Sequence, residues 1–259
     1  MTVYLPREHG AYGQMAFPLV TAFGVAGVSA GGLLMATAVI AAFLAHEPAA
    51  VRLGQRGVRA AREYGPGAAR WLGACTAIAL GAGIGAALVL EPSIRWSLAV
   101  PLLPALVLIG AMVQGREKSW YGETAAALAF AGAAVPVVLA AGAPPAAAWQ
   151  VAVPFALLFA TTTLAVRVVI LRVRGGGNPQ ATAATRGAVV TVSLSALLGI
   201  AGLAAARVVP SSMLIAAAPG LATAIVVAAR PPSATRLRLL GWSLVTVSTL
   251  TATIVLLTA

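Results

Sequence analysis

Nine predominantly apolar runs of roughly 20 residues follow one another along the chain, each long enough to cross a hydrocarbon core about 30 Å thick as a helix. Such a chain has few folds open to it, because inside a bilayer a helix satisfies its own backbone donors and acceptors. The runs are cut where charge, Gly-Gly or Pro pairs interrupt the apolar pattern. The cuts predict spans at 12–29, 32–50, 70–90, 94–114, 120–141, 147–171, 185–206, 209–229 and 238–258. Only Ser29 and the Gly31-Gly32 pair separate the first two, which predicts a tight hairpin there. The expected fold class is all-α: a polytopic membrane bundle of about nine transmembrane helices, forming a single integral domain over 1–259. Composition agrees, since 9 % of residues are charged where an ordinary globular chain has about a quarter.

The formal net charge of +11 raises the question of nucleic acid. The basic residues lie in short loops between spans, with no soluble domain that interleaves them with aromatics, so no nucleic-acid partner is expected. Their distribution is topological instead. Arg7, Arg52, Arg56, Arg59, Arg62, Arg70, Arg116, Lys118, Arg167, Arg172, Arg174, Arg186, Arg230, Arg236 and Arg238 fall on one side, against Arg95 and Arg207 on the other. The positive-inside rule then puts the N-terminus in the cytoplasm and the C-terminus outside. The first run continues too far for a signal peptide with a cleavage site, so no processing is expected.

The single cysteine, Cys75, excludes a disulfide framework and is read as a packing residue beside Trp71. Gly27-x-x-x-Gly31 and Gly81-x-x-x-Gly85 have the spacing that lets membrane helices approach closely. Pro101, Pro104, Pro136, Pro154 and Pro219 fall inside spans, where kinks around a cavity are expected.

Polar residues are few enough to be read one by one. There is no aspartate, and the acids are Glu8, Glu47, Glu63, Glu91, Glu117 and Glu123. Glu8-His9 precedes the first span and His46-Glu47 closes the second, so an antiparallel hairpin would bring both pairs to one membrane level. Imidazole with carboxylate can hold a divalent metal, which makes His9, His46 and Glu47 weak metal candidates, or can polarise a ligand and exchange protons. The competing reading is that each pair satisfies helix ends or an adjacent arginine.

Arg167 lies a turn before the end of an otherwise apolar helix, where an ionisable group faces a bundle interior or snorkels outward. Thr161, Thr162 and Thr163 precede it and are expected to bond backbone carbonyls. The loop LRVRGGGNPQATAATRG sets Arg172, Arg174 and Arg186 around three glycines, as an anion site or a flexible turn. Glu123 enters the first turn of the fifth span, where it stabilises the helix N-terminus or points into a cavity. Arginines at 52, 56, 59 and 62 would share one helical face, expected to lie on anionic lipid, with capping of the site above the second span as the alternative.

PREHGAYGQMAFP, FLAHEP and REKSWYGE resemble the YwiC-like family of bacterial integral membrane proteins, a likeness over most of the chain whose most specific part is the HGA segment. More distantly, the chain resembles UbiA-type intramembrane prenyltransferases. That resemblance implies a nine-helix bundle with a central cavity capped on the cytoplasmic side, and Mg²⁺ and a prenyl diphosphate held by two aspartate-rich motifs. The corresponding regions here, AHEPAAVRLGQR and AVRVVILRVRGGGN, contain no aspartate. Magnesium wants hard carboxylate oxygens, so it is not the expected cofactor. What the resemblance leaves is a cavity in which Arg52, Arg167, Arg172 or Arg174 meets an anionic head group with His46 and Glu47 as polar partners.

Three functions stay open at this level. One is a UbiA-like transferase, or a protein that binds an isoprenoid or other anionic lipid. Another is a transporter that routes substrate or protons past Arg167 and the His–Glu pairs. The third is a scaffold whose arginines contact lipid or a partner. Neither the ligand nor the oligomeric state is written in the sequence.

Overall fold

The structure is a computed structural model that describes residues 4–6, 9–173 and 179–259, with backbone alone at His9 and Ala234. The helices are α1 His9–Ala26, α2 Ala30–Arg52, α3 Val58–Val89, α4 Ala99–Val113, α5 Trp120–Gly132, α6 Ala134–Ala140, α7 Pro145–Val173, α8 Pro179–Ala205, α9 Ser211–Ala229 and α10 Leu237–Thr258. A 3₁₀ turn, Pro92–Leu98, leads into α4, and α5 and α6 together form one rod, Trp120–Ala140. Among the described residues there is no strand, and eight helical spans are long and apolar enough to cross a membrane, with α1 as a further rod.

Local chemistry sets most of the ends. Ser29 caps α2, its hydroxyl accepting from the Gly32 N–H at 3.1 Å, which closes the hairpin expected between the first two spans. Gly27 sits in that turn at φ +81°, so Gly27 and Gly31 do not share a helix face and do not form a packing motif. Pro136 offers no N–H to the Gly132 carbonyl, and the α5–α6 rod breaks beside that residue. Two other expectations change. Helix α2 runs on through Pro48 to Arg52, rather than closing at His46-Glu47. The basic segment after it is no separate surface helix, because residues from Val58 onward are the start of α3, whose 32 residues span about 48 Å and so exceed the bilayer.

The interior is rich in small residues and the lipid face in large ones. Ala22, Ala127, Ala131, Ala134, Ala148 and Ala217 are fully buried, while Leu80, Ile84 and Leu88 of α3 and Leu103, Leu106 and Ile109 of α4 are exposed. Lipid tails are as apolar as leucine, so association depends on close backbone approach rather than on hiding large side chains. Helix α6 lies at the centre of the main core, buried from Ala134 to Leu139 and packed on α1, α2 and α7. At Gly220 of α9 an added Cβ would lie 2.9 Å from Leu158 Cβ and 3.2 Å from its Cα. Helices α7 and α9 can touch there only through glycine.

One helix end departs from glycine chemistry. Arg207 follows α8 at φ +59°, whereas every other positive-φ residue among the described residues is a glycine. A side chain in that region strains the backbone by about 1 kcal/mol.

The packing argument gives a paired prediction. Gly220→Ala forces α7 and α9 apart and lowers stability by about 1–3 kcal/mol. Gly187→Ala, where an added Cβ meets nothing within 4 Å, leaves the thermal unfolding midpoint in detergent unchanged or slightly higher.

Candidate functional site

Two helix ends are built alike. After α2, the Gly54 N–H bonds Val51 O at 3.1 Å and the Gln55 N–H bonds Ala50 O at 2.9 Å, with Gly54 at φ +72°. After α4, the Gly115 N–H bonds Met112 O at 2.9 Å and the Arg116 N–H bonds Ala111 O at 2.7 Å, with Gly115 at φ +68°. Both are Schellman turns, in which a left-handed residue lets the chain fold back over the last carbonyls. The residue two places beyond each glycine is charged: Arg56 in one loop and Glu117 in the other.

Those two residues meet. Arg56 Nη1 donates to Glu117 Oε1 at 3.0 Å, while its Nε and Nη2 donate to Glu47 Oε1 and Oε2 at 2.9 and 2.7 Å. One guanidinium thus holds a two-pronged contact with the carboxylate of α2 and a third bond to the loop before α5, a use that suits its fixed fork of donors. Glu47 is 1 % exposed and Glu117 is 8 % exposed, so both carboxylates are out of water. His46, half-buried on α2, sets its Nε2 3.2 Å from Glu117 Oε2, an ion-pair distance without the alignment of a hydrogen bond. Gln55 adds a further tie between the loops, its Nε2 donating to Met112 O.

Charge and burial fix the electrostatics. Bonds from Glu47, against the opposing effect of burial, keep the Arg56 guanidinium charged well above its usual range. His46 first, and then Arg56, hold the Glu117 carboxyl below its ordinary value of 4.5, again against burial. Below the cluster lies an apolar floor of rings. Tyr12 of α1 meets Phe43 edge-on at 4.8 Å, and Phe43 meets Phe130 of α5 at 5.6 Å.

A second polar contact lies nearby. Arg167 Nη1 donates to Lys118 O at 2.9 Å and approaches Glu123 Oε2 at 3.4 Å, joining α7 to the beginning of α5. Glu123 lies in the first turn of α5, which Ser119 caps. Thr161 and Thr162 bond the carbonyls of Leu157 and Leu158 at 2.6 Å, as expected, and Thr163 accepts from Gln14 of α1 at 3.2 Å. Arg172 donates to Pro231 O at 3.1 Å, and Arg52 is exposed at the end of α2.

The structure therefore brings His46 and Glu47 into one cluster, keeps Glu123 and Arg167 as a neighbouring pair, and leaves Arg52 and Arg172 at the rim of the same end. Glu8 and Arg174 lie outside the described residues, as does the side chain of His9, although the Tyr12–Phe43 contact puts the start of α1 level with the end of α2. Among the described residues no three of His, Cys, Asp and Glu are grouped to hold a metal. Sequence reading placed Arg56 among arginines that face lipid or cap the site above the second span, without naming its partners, and noted Glu117 only among the acids. Glycine two places before each was the available signal.

The sequence profile of the family described as YwiC-like protein matches residues 5–138. The chain belongs to the YwiC-like family. The matched stretch runs from the segment before α1 into α6, and so contains His46, Glu47, Arg56, Glu117 and Glu123 of this YwiC-like chain, but not Arg167 or Arg172. No curated protein and no solved structure matches it.

Removing one partner from such a cluster leaves the others charged and dry. Arg56→Gln in the YwiC-like protein lowers stability by about 3 kcal/mol, and Arg56→Lys falls between, since one ammonium cannot fork onto Glu47 and reach Glu117 together. Because the folded-state pKa of Glu117 is depressed, its contribution is complete above the ordinary carboxylate value and is lost as pH falls through the lowered one. Unfolding followed from neutral to acid pH shows this loss in the parent, and less of it in Glu117→Gln.

Proposed function

We propose that the protein binds an anionic lipid head group at its arginine-rich end, that this end faces the cytoplasm of a bacterial cell, and that the Arg56 cluster is the frame of the binding face rather than a reaction centre. The supporting observation is how the arginines divide. Arg56 is committed to two buried carboxylates, whereas Arg52, Arg59, Arg62, Arg70 and Arg116 at the same end are exposed. Each exposed cation near a lipid surface contributes about 1 kcal/mol toward anionic lipid. An isoprenoid phosphate offers the same chemistry as a phospholipid head.

Prenyl transfer of the UbiA kind finds less support. A magnesium diphosphate needs free carboxylates, and Glu47 and Glu117 both accept from Arg56. The second corresponding region, through Arg167 and Arg172, has no acid at all. Transport is favoured by one observation, the Glu123–Arg167 contact that bridges α5 and α7.

Lipid retention separates these readings. Purified gently and weighed intact by native mass spectrometry, the parent is expected to retain phosphatidylglycerol or a polyprenyl phosphate over phosphatidylcholine. Arg52→Gln with Arg62→Gln lowers that preference by tenfold or more, at about 1 kcal/mol per arginine. Equal retention of charged and zwitterionic lipids overturns the proposal. Proton flux into proteoliposomes that disappears in Arg167→Ala would replace it with transport.

A further inference from the structure

At the opposite end of the bundle lies a feature that the arginine-rich face does not involve. Helices α8, α9 and α10 leave an open-sided groove of about 690 Å³ between them. Its walls include Leu197, Leu198, Leu214, Ile215, Pro219 and Ile254, and none of its lining residues is polar. All belong to membrane-spanning helices. The groove starts in the first turn of α9 at Leu214 and reaches Ala222, eight residues on. At 1.5 Å rise per residue that is about 12 Å, close to the depth of one leaflet's hydrocarbon, about half of 30 Å.

The turn that joins α8 to α9, two of the helices that line the groove, presents a cation. The Arg207 N–H bonds Ala204 O at 3.0 Å and the Val208 N–H bonds Leu203 O at 2.9 Å, the same Schellman pattern found after α2 and α4. There, however, the left-handed residue is glycine. Here it is an exposed arginine, at φ +59°. Arg207 is also one of only two basic residues expected on this side of the membrane, and the other, Arg95, donates to Leu90 O at 3.1 Å.

We infer that the α8–α9–α10 groove and Arg207 together form a binding site for an anionic phospholipid of the opposite leaflet, its acyl chain in the groove and its phosphate at the arginine. The apolar walls fit a chain and nothing polar. The arginine supplies the charge complementarity that distinguishes an anionic head from a zwitterionic one. Its place at a position where glycine would be unstrained is accounted for by that role.

The test uses the full chain in the Arg52→Gln/Arg62→Gln background, in which lipid held at the other end is weakened, and reads the further change that each groove variant adds. In nanodiscs of mixed phosphatidylglycerol and phosphatidylethanolamine, delipidated stepwise and weighed by native mass spectrometry, one phosphatidylglycerol is expected to outlast the rest. Arg207→Gln lowers its preference about fivefold, the equivalent of ~1 kcal/mol for one arginine, and Ala222→Trp, which obstructs the inner end of the groove, weakens retention of the last lipid of either kind. Arg207→Gly relieves the backbone, so it melts no lower than the parent, yet loses selectivity as Arg207→Gln does. Selectivity unchanged in both Arg207 variants overturns the inference, as does a correctly folded Ala222→Trp protein that retains its lipid as the parent does.

Discussion

Two carboxylates that leave water must find a cation or give up their charge, and in this protein a single guanidinium serves both. Arg56 reaches Glu47 through two donors and Glu117 through a third. Since Glu47 belongs to α2, Arg56 to the loop before α3 and Glu117 to the loop before α5, the contact ties three parts of the bundle into one end plate. His46 approaches Glu117 from the side, its Nε2 3.2 Å from Oε2. The Arg167–Glu123 contact and the Ser119-capped start of α5 follow within a few residues of Glu117.

The rest of the bundle is held by a different physics. In the membrane, large aliphatic side chains gain little by turning inward, and the core is accordingly rich in alanine and valine, with Leu158, Leu221 and Phe155 among its larger buried side chains. This explains the position of α6. A helix of seven residues would not hold by itself, but buried on all sides among α1, α2 and α7 it becomes the piece on which the others close. The polar end plate and the small-residue core meet at the Tyr12–Phe43–Phe130 rings, where one regime gives way to the other.

Much of this was legible beforehand. The spans follow from the length of predominantly apolar runs, and the common level of His46, Glu47, Glu117, Glu123 and Arg167 follows from counting those spans. The partner of Glu47 did not follow, because a helical reading of residues 52 to 62 gives Arg56 the same face as Arg52, Arg59 and Arg62. Gly54 and Gly57, both at positive φ, break that helix and turn Arg56 back alone. The Gly27-x-x-x-Gly31 reading failed for a similar reason, since its spacing was helical and its backbone was not. Arg207 carried no signal in sequence, where it was one charge in a short loop; what sets it apart is the left-handed backbone it occupies between two helices that line a groove.

Loops between membrane helices are ordinarily the part of a bundle that can be lengthened most freely. The Schellman turns remove that freedom at the end plate. Arg56 and Glu117 each stand two residues past a left-handed glycine, so one residue added or removed between Gly54 and Arg56, or between Gly115 and Glu117, would swing a charge away from its partner. Loop length at these two places is thus a measured dimension of the molecule, as little open to insertion or deletion as the interior of a helix.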